Sequence, residues 1–142
     1  MSNPITINSR DVIERIDELV SEFVFATEES EDPYEINETN RYTMSADDWQ
    51  FGLNSDDAEE LYNLLQFERT ANCVADWNYG ETFINNEYFT DYVRDLVEDC
   101  GYIDADTPYW ITDAIDWDRV ADALISDYTD YEFDGTTYWA RA

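Results

Sequence analysis

Thirty-five Asp and Glu residues share this 142-residue chain with seven basic residues, all of them arginine; there is no Lys and no His. The formal net charge of -28 constrains the fold before any motif is read. Nearly every carboxylate must stay in water, because an ionised one buried without a cation or hydrogen-bond donors is strongly unfavourable. A chain this acidic and poor in apolar residues would stay disordered. Here 44% of residues are apolar and 16% are Phe, Trp or Tyr, and each aromatic ring can remove a large area from water. The expectation is one folded domain over residues 1–142, with an aromatic core under an intensely acidic exterior.

The same balance excludes whole classes of function. DNA, RNA and anionic membrane surfaces would be repelled. Without His there is no Ser–His or Cys–His nucleophile and little scope for a catalytic zinc. Without Lys there is no Schiff base and no phosphate-binding lysine of the Walker type. Cys73 and Cys100 fit no metal spacing and are too few for a disulfide framework, and Cys100 falls on an apolar helical stripe where packing would bury it. Residues 1–7 have neither the basic region nor the apolar run of a secretory signal. No stretch approaches the ~18 apolar residues of a membrane span. The expectations are a cytoplasmic protein, no enzyme activity, no cofactor and no metal.

Periodicity divides the chain into four helices and a hairpin. Val12, Ile13, Ile16, Leu19, Val20, Phe23 and Val24 recur at helical spacing after Asn8 or Ser9, giving a helix from about Arg10 to Phe25. Residues 27–40 read as an acidic loop interrupted by Pro33, and 41–44 as a short strand. A second helix starts at Asn54 or Ser55 and ends near Asn72, with Ala58, Leu61, Tyr62 and Leu65 inward. Residues 73–84 read as irregular or short strand. Asn85 or Asn86 caps a third helix carrying Phe89, Val93, Leu96 and Val97, and Gly101 stands where a left-handed stop belongs. Asp116 caps a fourth helix, with Val120, Ala121, Leu124 and Ile125. Tyr131–Phe133 and Thr136–Trp139 flank Asp134-Gly135, the pair that a type I′ hairpin turn requires. The fold class is α+β and helix-rich: about four helices, a C-terminal β-hairpin and room for one or two further short strands.

The carboxylates are arranged as well as abundant. Asp11, Glu14, Glu18 and Glu22 line one face of the first helix; Glu87, Asp91, Asp95 and Glu98 or Asp99 line one face of the third; Asp118 and Asp122 step by four along the fourth. Like charges at this spacing destabilise a helix by ~0.2–0.5 kcal/mol per pair. A solvated face accounts for any single row, but rows on every helix with no lysine anywhere call for more. A compact chain of this length is roughly 37 Å across. Duplex DNA carries one charge per ~1.7 Å of axis, so 28 charges correspond to about 48 Å of duplex. The chain approaches the linear charge density of DNA.

Other uses of carboxylates are weaker. Asp130, Glu132, Asp134 and Gly135 match the opening of a calcium loop, but its twelfth position is Arg141 instead of a bidentate Glu. No pair of carboxylates stands out with the spacing of a glycosidase. Of the five Trp and eleven Tyr residues, most belong in the core, Tyr92 and Trp117 among them; Trp110 and Trp139 are candidate exposed anchors.

Ile115-Asp116-Trp117, the helix from Arg119 to Ile125, Asp127-Tyr128, then Glu132-Phe133-Asp134-Gly135 and Tyr138 resemble the final acidic segment of phage and plasmid antirestriction proteins of the ArdA type. The composition is similar to that of Ocr-like DNA mimics. The resemblance implies a viral or plasmid inhibitor without catalytic residues, which blocks restriction–modification enzymes by occupying their DNA groove; anti-CRISPR proteins with DNA-like charge are similar. The expected partner is a basic DNA-binding host protein, a restriction enzyme or a CRISPR effector, with no direct contact to nucleic acid or membrane; a homodimer stays open. Two alternatives stand beside it: an ordinary binding domain adapted to high salt, and an acidic partner of a basic nucleic-acid-binding protein.

Overall fold

The structure, a computed structural model, describes residues 4–28 and 36–141. A four-stranded antiparallel sheet forms its middle layer, in the order β1 (Thr6–Asn8), β2 (Thr82–Asn85), β4 (Thr136–Arg141), β3 (Tyr128–Phe133). Side chains alternate across a strand, and the register sorts them cleanly. Ile7 lies opposite Phe83, and Tyr131 opposite Tyr138, on one face. Ile84 lies opposite Trp139 on the other.

Against the first face pack α1 (Ser9–Thr27) and α3 (Ser55–Ala71), with the single turn α2 (Ala46–Trp49) beside them. Ile16, Leu19, Phe23, Trp49, Leu61, Leu65, Phe67, Phe83 and Tyr138 are sealed from water there. Against the second face pack α4 (Phe89–Asp99) and α6 (Trp117–Leu124), and a further single turn, α5 (Tyr109–Thr112), lies in the connection between them. Ile84, Phe89, Val93, Ala121 and Tyr128 form the smaller core of this side. The α+β class holds, with the four expected helices present and a sheet built on the expected hairpin.

Local chemistry sets the boundaries. The side chain of Asn8 accepts the N–H of Arg10 and starts α1 directly from the end of β1. Buried Ser9 donates its hydroxyl to the Trp77 carbonyl at 2.7 Å and accepts the Glu81 N–H at 2.7 Å, pinning the turn that precedes β2. Asn54, Asn85 and Asp116 cap the segments they were expected to cap. Asp134 and Gly135 have φ of 49° and 78°, the double left-handed geometry of a type I′ turn. At Gly52 an added Cβ would lie 2.7 Å from Phe23 Cδ2, so only glycine lets the segment after α2 approach α1 this closely.

Four expectations need correction. Residues 40–42 form a 3-10 turn instead of a strand, because Asn37 and Asn40 fold the backbone with side-chain hydrogen bonds and the Thr43 N–H closes on the Asn40 carbonyl. The helix α1 runs through Thr27, whose hydroxyl returns to the Phe23 carbonyl at 2.9 Å, so the acidic loop begins later; residues 29–35 of that loop lie outside the described residues. The third helix opens with a 3-10 turn at Asn86–Tyr88, which places Glu87 before the α-helix instead of on it. Cys100 is exposed: it caps the end of α4, Gly101 turns away with φ of 76°, and the apolar stripe stops at Val97.

Candidate functional site

All eleven candidate carboxylates are exposed, but the fold divides them between its two outer layers. Asp11, Glu14, Glu18 and Glu22 lie on α1; Glu87, Asp91, Asp95, Glu98, Asp99, Asp118 and Asp122 lie across the sheet on α4, α6 and the turn before α4. They are two surfaces, and the arginines treat them differently.

On the first layer arginines sit among the acids. Arg10 reaches Glu14 at 3.6 Å, and Arg15 binds Glu18 at 2.8 Å. Arg15 also forks onto both oxygens of Glu60 on α3 at 2.9 Å each, with Asp57 at 3.6 Å. The hydrogen bonds to Glu60 raise the Arg15 pKa above its ordinary value, against the opposing effect of burial. Deeper in this layer, Arg41 at 2.7 Å and the Tyr42 hydroxyl both donate to one oxygen of buried Glu68. Burial, then the bond to Glu68, pushes the Tyr42 pKa up. Sequence reading missed this cluster, although Glu68 follows Leu61 and Leu64 on the inward stripe of α3 and so occupied a core position. It adjoins an open cleft of about 430 Å3 that Asp17, Glu38 and Asn72 also line. The cluster ties residues 41–42 to α3.

On the second layer the acids stand nearly alone. Residues 87–127 hold twelve carboxylates and two arginines. Arg94 approaches Glu98 at 3.7 Å in the one ion pair among the described residues of this segment, and its guanidinium covers the Trp117 ring at 5.7 Å. Phe89 and Val93 face the sheet, which leaves Asp91, Asp95, Glu98 and Asp99 in water. The Thr90 hydroxyl donates to Asp118 at 3.3 Å, joining the α6 row to the start of α4. Successive carboxylates four apart on a helix advance by ~6 Å, against ~3.4 Å of axis per phosphate on one DNA strand. One row is too sparse to match a strand, whereas two helices side by side come near it.

The sheet supplies two further acids that the sequence reading left out. Asp130 and Glu132 on β3 are exposed on the same face as Trp139, toward the α4–α6 layer. A strand expected from Tyr131 includes Glu132 but not Asp130; β3 starts at Tyr128 and puts both on one face. Of the two anchor candidates, Trp139 is structural, half-buried with its indole N–H donating to Asn86 at 2.9 Å. Trp110 is 64% exposed.

Among the described residues no group of three or more Cys, Asp or Glu side chains converges as a metal site, and no helix is long and apolar enough to cross a membrane. No family model, curated protein or solved structure matches the chain.

Proposed function

We propose that the chain is a non-enzymatic acidic binding protein, and more particularly a DNA mimic that inhibits a host DNA-binding defence protein by laying its carboxylates in the basic DNA channel. One observation carries the proposal: among the described residues the α4–α6 layer keeps its carboxylate rows in water with a single arginine pair, at Glu98, while arginines of the same chain pair Glu14, Glu18, Asp57, Glu60 and Glu68 of the opposite layer. Uncompensated rows cost stability, and a basic partner recovers that cost by bringing the missing cations. Twenty-eight net charges on 9357 Å2 of accessible surface exceed the magnitude of roughly 2–8 that solubility asks of a small domain. They also steer association with a positive channel. The sequence resemblance to antirestriction proteins points the same way.

The test is exclusion. Duplex DNA and this protein should compete for one site on a restriction–modification enzyme or CRISPR effector nuclease, and affinity should fall steeply as salt rises. A ternary complex of protein, nuclease and DNA at full occupancy would count decisively against mimicry. Adaptation to high salt is the second reading, favoured by carboxylates exposed on both layers. It requires a fold lost in low salt, whereas a mimic stays folded there and loses its partner in high salt.

A further inference from the structure

Between α4 and α6 the chain runs from Cys100 to Asp116 without one buried residue. In its middle, α5 displays Tyr109 at 76%, Trp110 at 64% and Ile111 at 40% exposure. Three consecutive large apolar side chains on one helical turn point in different directions, so no single layer of the fold could bury them all. The turn is nonetheless well made. Pro108 precedes it with φ of -57°, the Ile111 N–H donates to the Pro108 carbonyl at 2.9 Å, and the Asp113 N–H donates to the Tyr109 carbonyl at 2.8 Å. Its apolar surface is therefore held out in a fixed shape, which lowers the entropy lost when something covers it.

What covers it is marked by the flanking charge. Asp104, Asp106, Asp113 and Asp116 surround the turn in sequence, all exposed and with no arginine among residues 95–118. A second copy of this chain would bring 28 like charges to the same contact. A basic partner brings complementary ones. Arginine fits both features, because its guanidinium pairs with carboxylates and stacks on aromatic rings, whereas a lysine ammonium is the more strongly hydrated point charge. Among the described residues the protein makes this contact internally, with Arg94 over Trp117 at 5.7 Å and Arg41 over Tyr42 at 5.1 Å.

We propose that the Tyr109-Trp110-Ile111 turn is a preformed aromatic anchor that docks on an arginine-bearing basic protein surface, Tyr109 and Trp110 stacking on guanidinium groups while the flanking aspartates pair with neighbouring cations. The proposal rests on the basic-partner reading above and adds to it close ring–guanidinium contacts that salt weakens less than exposed ion pairs. Trp and Tyr dominate the energetics of interfaces where they anchor, so the turn sets affinity and preference while the carboxylate rows set the rate of encounter.

Nona-arginine and nona-lysine peptides carry equal charge and serve as probes, titrated into the wild type, a Tyr109→Ser/Trp110→Ser variant and an Asp91→Asn/Asp95→Asn variant across a salt series. The wild type should prefer the arginine peptide by about tenfold or more. The aromatic variant should lose that preference while keeping its salt dependence. The carboxylate variant should bind both peptides more weakly and keep the preference. Melting curves confirm that the aromatic variant, altered only at exposed positions, is folded. Equal affinity for both peptides in the wild type, or a preference that survives loss of Tyr109 and Trp110, overturns the proposal. So does self-association of the wild type in sedimentation equilibrium that Trp110→Ser abolishes, since the turn would then cover a second copy. An anchor that passes this test in a protein that fails to compete with DNA leaves the anchor standing and removes the mimicry. Competition with DNA but no arginine preference does the reverse.

Discussion

The two helical layers differ less in how acidic they are than in what their arginines and aromatics do. On the α1–α3 side the rings interlock: Phe67 contacts Trp77, Phe83 and Phe133 at 4.9–5.9 Å between centroids, and Phe23 meets Trp49 edge-on at 4.8 Å. Arg10, Arg15 and Arg41 bind carboxylates around them. On the α4–α6 side Phe89 with Tyr92, Tyr128 and Trp139 joins the helices to the sheet, Glu98 holds the one ion pair among the described residues, and Tyr109 and Trp110 stand in solvent. Among the described residues arginine pairs Glu14, Glu18, Asp57, Glu60 and Glu68 on the first layer and Glu98 alone on the second, although the first also leaves Asp11, Glu22 and the 76%-exposed Phe25 in water.

The largest expected effect separates the two cores. Phe67→Ala should cost about 4 kcal/mol in urea unfolding, and Phe89→Ala about 3 kcal/mol or less, since Phe89 sits in the smaller cluster. Equal losses would mean that the second layer is as tightly built as the first. Next, Arg41→Ala should destabilise by about 3 kcal/mol, because Glu68 stays buried with its cation removed. A loss within a few tenths of zero would show that water replaces the guanidinium.

Alkaline pH tests the sealed face of the sheet. Burial pushes the hydroxyls of Tyr138 and Tyr131 up to about 12. A folded pKa raised above its unfolded value of about 10 contributes stability that is complete below pH 10 and is lost as pH rises toward 12. Melting temperature should therefore fall across that window. Tyr138→Phe should flatten the decline by removing the buried ionisation, a difference of about 2–3 kcal/mol at its upper end. An identical decline in the variant would assign the loss to other groups.

The smallest effect carries the sharpest sign. Asp95→Asn should stabilise by about 0.2–0.5 kcal/mol, since it relieves repulsion from Asp91 and Asp99 four residues to either side on α4 and, unlike Asp91, lies beyond the first turn where the helix dipole favours negative charge. Glu14→Gln/Glu18→Gln should destabilise by no more than several tenths of a kcal/mol, since it removes exposed partners of Arg10 and Arg15. Same-signed results would erase the distinction between the layers.

Local signals made much of this fold readable in advance. Caps at Asn8, Asn54, Asn85 and Asp116, the Gly101 stop and the Asp134-Gly135 turn each rest on chemistry within a few residues. Thr6–Asn8 escaped notice because it is a strand only beside Phe83 and Ile84, whereas the 3-10 turn at residues 40–42 is closed locally by Asn37 and Asn40 and then anchored by Arg41 and Tyr42 to Glu68, 27 and 26 residues away. The acidic rows were legible as rows, since exposure on a helix follows its period. Their partition was not: which side of the sheet a helix covers, and so which carboxylates meet arginine, is decided by tertiary packing. The loop position of Trp110 after Pro108 made its exposure legible, whereas Trp139, an equal candidate in sequence, is half-buried because the Asn86 side chain and the Phe89 ring meet it.

Displacement of a labelled duplex from a restriction–modification enzyme or CRISPR effector nuclease addresses the partition directly. Wild-type protein should displace the duplex. An Asp91→Asn/Asp95→Asn/Asp118→Asn/Asp122→Asn variant should do so at least about tenfold less effectively while remaining folded, and Glu14→Gln/Glu18→Gln should match the wild type. Equal loss in both variants would make net charge, and not the α4–α6 face, the active quantity; no displacement by the wild type would contradict DNA mimicry itself.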